Sequence, residues 1–173
     1  MKGVVFTGNR QVETMDFDDP TPGEGEVVLE IKASGMCGSD LHIYRSPGGG
    51  PELARKLGLG GSGKPAIGGH EPCGVVVARG AGVAKKHAPD GGRFMVHHYA
   101  GCETCPDCKA GWSQLCKVGP MQVYGVTGHG AHAKYIKVRH SHWWRCRRKS
   151  RSKPVPPFRV ARAPPTVRSD ACR

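Results

Sequence analysis

Four cysteines stand close together in the run GCETCPDCKAGWSQLC: Cys102, Cys105, Cys108 and Cys116, spaced C-x2-C-x2-C-x7-C. Thiolates this near one another repel unless a cation lies between them, and Zn2+ both neutralises and crosslinks such a set. An all-sulfur tetrahedron leaves no open position for a substrate, so this metal would hold a loop in place and do no chemistry. The competing readings are a redox pair, merely packed thiols, or part of a disulfide framework built from the eight cysteines of the chain.

A second constellation has the ingredients of a reactive metal site. It combines CGSDLH at 37–42 with GHE at 69–71. Cys37 and His70 are a ligand pair, although a catalytic zinc usually takes three protein ligands and keeps the fourth position for water or substrate. Glu71 is either a third ligand or a carboxylate beside the metal. Asp40 is either a turn cap or the acceptor that fixes the tautomer of a liganding imidazole. Ser39 and His42 can pass a proton from a metal-bound hydroxyl to solvent. Cys73 reads as packing. His97, His98, His129 and His132 have no compact metal spacing and read as strand and turn residues, some of them lining a cleft.

These groups need a scaffold of short strands and tight corners. Glycine is abundant, with 26 residues, and every one lies before residue 131. MKGVVFTGNRQVETMDF reads as strand, turn, strand. VVLEIKAS alternates apolar and polar side chains, as do CGVVVARGAGV and AHAKYIKV. Residues 44–66 read as a loop with one helical turn at PELARKL. Its GLGGSG stretch lacks the glycine spacing of a phosphate or dinucleotide fingerprint. The expected fold is mainly β: a partly open β-barrel over residues 1–138 with a zinc-binding loop.

Past Val138 the composition changes. Residues 1–138 carry 15 Lys/Arg against 13 Asp/Glu, whereas residues 139–173 carry 11 Lys/Arg against one acid, with five prolines and no glycine. Residues 139–173 are therefore expected to be a disordered basic tail. Such a tail can bind nucleic acid through counterion release. The four cysteines do not add to that reading, because GWSQL is too short for a recognition helix and a finger's histidine pair is missing. The opening MKGVVFTG has no signal-peptide core, and no stretch is long and apolar enough to span a membrane, so a cytoplasmic location is expected.

The segments GEVVLEIKASGMCGSDLHIY, GGHEPCGVVVARGAGV, GGRFMVHHYAGCETCPDCKAGWSQLC and GHGAHAKYIKV resemble the N-terminal, GroES-like catalytic domain of the zinc-dependent medium-chain alcohol dehydrogenases. The resemblance implies that Cys37 and His70 are catalytic zinc ligands, with Glu71 beside the metal and Asp40 supporting the imidazole. Ser39 and His42 match proton-transfer positions, and Cys102, Cys105, Cys108 and Cys116 match the structural zinc ligands. It implies reversible oxidation of an alcohol or polyol, with hydride passing to NAD or NADP.

Two departures accompany the match. The family continues into a Rossmann domain that binds the nicotinamide cofactor, for which 173 residues leave no room. The family's further catalytic zinc ligand also has no counterpart. The chain is therefore expected to behave as a catalytic domain with little or no turnover alone. Alternatives are a non-catalytic zinc module, or half of a split dehydrogenase that needs a separate Rossmann domain. An uncovered apolar face would promote self-association. The abrupt change at Arg139 is what an altered reading frame would produce.

Overall fold

The computed structural model describes residues 1–59, 63–119 and 121–145. The expected disorder of the basic tail beyond Arg145 falls outside them.

The chain runs β1 (Lys2–Gly8), β2 (Gln11–Asp16), β3 (Glu26–Gly35), α1 (Gly38–Arg45), α2 (Gly49–Lys56), β4 (Glu71–Arg79), β5 (Arg93–Val96), β6 (Tyr99–Ala100), α3 (Pro106–Lys109), a 3-10 turn (Ser113–Leu115), β7 (Gln122–Val123), β8 (Tyr135–Arg139) and β9 (Trp143–Arg145). Five strands form one sheet in the order β8-β3-β4-β5-β9, flanked by the hairpin β1-β2 and the short pair β6-β7. Every pairing within these sheets is antiparallel. The described residues therefore contain no βαβ crossover and no Rossmann unit. The arrangement is the mainly β, incompletely closed barrel that the alternating strands predict.

The alternation explains the packing. Ile136 and Val138 of β8 point inward while Lys137 and Arg139 point out. They join Val27, Leu29, Val76, Phe94, Val96 and Tyr124 in one apolar core. The β3–β4 ladder shifts register between Val28 and Leu29 and again between Ile31 and Ala33. Such bulges bend a strand and re-aim its end, and here the end of β3 leads straight into Cys37. At Gly74 the two strands cross so closely that a Cβ would lie 2.6 Å from the Glu30 carbonyl oxygen.

Three segments differ from the sequence-based expectation. The chain after Cys37, where CGSD reads as a turn, winds into the two-turn helix α1 with Cys37 as its N-cap. Asp40 at the third helical position accepts the Cys37 N–H at 2.9 Å, which satisfies a donor that a helix start would otherwise leave open. The single turn expected at PELARKL is the longer helix α2, tied to the barrel where Gly49 packs on the backbone of Phe6 and Thr7. Ser46 Oγ donates to the His42 carbonyl and ends α1. β9 lies beyond Val138 and extends the sheet on β5, with Trp143 opposite Val96.

Candidate metal centres

The four-cysteine lobe is built by local backbone geometry. Cys105 caps α3, and its Sγ accepts the Cys108 N–H at 3.4 Å. Cys102 Sγ accepts the Cys105 N–H at 3.3 Å and the Thr104 hydroxyl at 3.4 Å. Cys116 Sγ accepts the Cys102 N–H at 3.3 Å. Glu103 takes a left-handed backbone (φ 66°) to let the turn close. A Cβ on Gly101 would lie 2.5 Å from Cys108 Sγ, so the lobe requires glycine there.

Donors aimed at sulfur favour the thiolate. The Thr104 hydroxyl and neighbouring N–H groups hold the Cys102 thiol down to about 6, and the Cys102 and Val118 N–H groups lower Cys116. Burial, and then the surrounding sulfurs, pushes Cys108 up to about 12. Without a cation the four thiols cannot all ionise together. Their sulfurs lie within 4.8 Å of one another, a donor set that fits one tetrahedral zinc ion.

The second centre joins β3, α1 and β4. Pairing of Gly35 with Glu71 sets the end of β3 beside the start of β4, so Cys37 and His70 face each other. Cys37 Sγ lies 3.0 Å from His70 Nε2. Ser39 Oγ sits between them, 2.8 Å from the sulfur and 3.1 Å from Nε2. Asp40 is 1% exposed and stands on the Nδ1 side of the ring, with Oδ1 3.2 Å away. That contact is an ion pair without hydrogen-bond alignment, since neither atom has a well-directed partner.

The electrostatics are coupled. Contact with Asp40 raises His70 to about 9 against the opposing effect of burial, with Cys37 adding to the rise. Burial pushes the Asp40 carboxyl up, but His70 and the Cys37 N–H together hold it below the usual range.

The ligand atoms of Cys37, Asp40 and His70 lie within 4.8 Å of one another, and among the described residues no other His, Cys, Asp or Glu joins that group. The sulfur–nitrogen pair fits zinc, with the carboxylate placed to orient the imidazole.

The other sequence-predicted residues are placed unevenly. Glu71 turns over Gly35, with a buried Oε2 lacking a hydrogen-bond partner, and stays outside the ligand cluster. His42 is exposed on α1, also outside it. Cys73 is buried in β4, in keeping with a packing role. His129 Nδ1 accepts the Ile67 N–H, and the residue joins neither ligand group.

Two histidines matter more than their spacing suggests. The His98 ring meets His70 edge-on, centroids 5.1 Å apart, and burial pushes it down to about 4, with His70 contributing. His132 bonds to Ser34 beside Gly69. The paired residues in HHYAGC were the only sequence signal for His98. A hollow of about 580 Å3 between Phe17, Tyr124, His129 and Tyr135 has neither Cys37 nor His70 in its wall.

Comparison with known proteins follows the same geometry. Residues 23–148 match the alcohol dehydrogenase GroES-like domain. An uncharacterized zinc-type alcohol dehydrogenase-like protein of Escherichia coli is 35% identical over 140 residues, covering 79% of this chain and 37% of that protein. An alcohol dehydrogenase of Moraxella sp. is 36% identical with the same coverage. The chain thus spans 37% of the length of both relatives. Among solved structures, acetophenone reductase from Geotrichum candidum in complex with NAD superposes with a TM-score of 0.67 at 32% identity, covering 84% of this chain and 39% of that one. A cobalt- and zinc-bound thermostable alcohol dehydrogenase from Pyrobaculum aerophilum gives 0.68 at 26% identity, covering 86% and 42%.

Proposed function

The chain belongs to the alcohol dehydrogenase GroES-like domain family, and from that premise we propose that it is the metal-bearing half of a zinc-type, NAD(P)-linked alcohol or polyol dehydrogenase. The observation that carries this reading is the 3.0 Å approach of Cys37 Sγ to His70 Nε2, with Asp40 behind the ring.

Cys37 and His70 would hold the ion. Zinc supplies Lewis acidity at the substrate oxygen and lowers the pKa of a bound hydroxyl. Asp40 fixes His70 so that Nε2 faces the sulfur and Nδ1 faces the carboxylate. Ser39 is the hydroxyl nearest both donors, so it is the group placed to take the substrate's proton. His42, exposed on the same helix, would complete the path to solvent. Glu71, half-buried with its Oε2 unpaired, would stand as a carboxylate beside the metal.

Hydride acceptance needs a nicotinamide-binding surface, and the described residues contain no such α/β unit. The expected behaviour is zinc binding with little or no turnover by this chain alone. The test is NAD(P)H production over a panel of alcohols and polyols with zinc present, with and without a separately supplied Rossmann domain from a relative. Turnover that requires the added domain supports the split reading. Robust turnover by the chain alone would sink the need for a partner, and inactivity in both arms together with no zinc at Cys37 would leave a zinc module held by its four-cysteine lobe.

A further inference from the structure

Glu103, in the middle of the cysteine lobe, stands in the left-handed backbone region without being glycine (φ 66°). A residue with a Cβ is disfavoured there, and a backbone held in that region points to surrounding contacts that fix it.

Those contacts come from the turn between β8 and β9. The Ser141 hydroxyl donates to Glu103 Oε1 at 2.7 Å. With its one proton given to the carboxylate, Ser141 accepts from His142 Nδ1–H, 3.0 Å away. His142 is 6% exposed, and its Nδ1 also lies 3.5 Å from Oε1. Arg139 stands 3.6 Å from the same oxygen, and its Nη1 donates to the Gly101 carbonyl at 3.1 Å. Both neighbours of Cys102 are thus fastened to residues 139–142.

The turn is itself fixed to the sheet. The Arg139 N–H donates to the Tyr124 hydroxyl at 3.1 Å, and the His97 N–H, just past β5, donates to the His142 carbonyl at 2.7 Å. Cys102, between the two anchored residues, donates its N–H to Cys116 Sγ and accepts the Cys105 N–H at its own sulfur. Its placement therefore sets how the lobe closes. Glu103 and Ser141 are 38 residues apart, so this fastening is tertiary and the cysteine spacing alone does not supply it.

We propose that Glu103 is a positioning residue for the four-cysteine centre: it clasps the lobe to the β8–β9 turn, so that a metal ion in the lobe and the seating of that turn stabilise each other. The inference rests on the reading of the four cysteines as metal ligands. The ion pair with Arg139 is half-exposed and adds little, which leaves the Ser141 hydroxyl and the buried His142 as the working contacts. Coupling of this kind is reciprocal: whatever factor the clasp adds to metal affinity, the metal returns to the turn.

The test loads the full chain with cadmium, follows the all-sulfur 113Cd resonance and reads affinity by competition with a chelator. E103G removes the clasp and the backbone cost together. If Glu103 served only the shape of the turn, glycine would leave the affinity unchanged or improve it. The clasp predicts a loss of about fivefold or more. E103Q, whose amide oxygen still accepts from Ser141, should keep most of the affinity. S141A should weaken binding alone but add nothing in an E103G background. Unchanged or improved affinity in E103G, additive losses with S141A, or E103Q as weak as E103G would overturn the proposal.

A second measurement reads the other side of the linkage. Exchange of the His97 amide proton should slow on cadmium loading by a factor comparable with the affinity change, and E103G should abolish the slowing. The double variant C102S, C105S, which keeps Cys37 and His70, should show none. Slowing that persists in E103G or in the double variant would overturn the clasp. A parent lobe that takes no cadmium would refute the reading of the four cysteines as ligands, and the coupling with it, whereas a lobe that loads equally well in E103G sinks the clasp alone.

Discussion

Trp143 stacks on Phe94, with ring centroids 4.1 Å apart and planes 17° from parallel. This contact fastens β9 to β5 and carries the sheet past the point where the composition turns basic. The indole is expected to contribute by burial and ring stacking together. Replacing Trp143 with alanine should cost about 2 kcal/mol, read as a lower urea midpoint with an unchanged slope. An unmoved midpoint would mean that β9 adds nothing to the stability of the sheet.

Metal content separates the two centres. The purified chain should hold roughly two zinc ions, and replacing Cys102 and Cys105 with serine should leave roughly one. Finding about one in the parent chain and none in the variant would show that Cys37 and His70 do not retain zinc.

The cysteine lobe was legible because its chemistry is local: the spacing gathers four sulfurs within one short segment. The strands were legible for a similar reason, as Ile136 and Val138 alternate with Lys137 and Arg139. Helix α1 was missed because its start depends on Asp40 reaching back to the Cys37 N–H, while two glycines and a serine argue for a turn. His98 and His132 were not placed beside His70 because they lie between strands and meet it, or the Gly69 before it, only through the tertiary fold, which spacing along the chain does not record. Glu71 shows the opposite case, a motif residue that the fold keeps outside the ligand cluster.

Acid should unfold the metal-free chain in a definite window. Burial lowers His97, His98, His129, His132 and His142 below the ordinary histidine range, His98 to about 4. A depressed folded-state pKa gives stability that is complete above about 6.5 and is lost as pH falls through the folded value. His70 acts in the opposite sense. Raised to about 9, its contribution is full below about 6.5 and fades as pH rises through 9. Urea midpoints in chelator should therefore peak near neutrality and fall toward pH 4. A midpoint that climbs steadily into acid would contradict the burial of these rings.

Gly80 tests the corner that closes β4. A Cβ there would lie 1.6 Å from the Gly23 carbonyl oxygen, and the Gly80 N–H donates to the Glu26 carbonyl at 2.9 Å. Backbone must move to admit alanine, so G80A should destabilise by about 2 kcal/mol or more. Gly38, where a Cβ meets nothing within 4 Å, supplies the control: G38A should change the midpoint little.

The gene can test the basic stretch directly. Trp143 and Trp144 each have the single codon TGG, and one displaced frame reads valine across them. With a CGN codon at Arg145, alanine follows. That frame is expected to continue as apolar, dehydrogenase-like sequence. Finding no such sequence in either displaced frame would show that the arginines and prolines belong to the original reading.

The two centres also differ in how far along the chain their donors lie. Cys102 to Cys116 form one short segment, so closing a ring around an ion there costs little configurational entropy. Cys37 and His70 meet only because β3 and β4 are paired, and the entropy of that closure is met by the sheet. Dissolving the sheet should therefore scatter the second pair while the sulfur loop keeps its grip. A chain partly unfolded in mild urea would release one ion early and the other late, giving two separate release steps from one small domain.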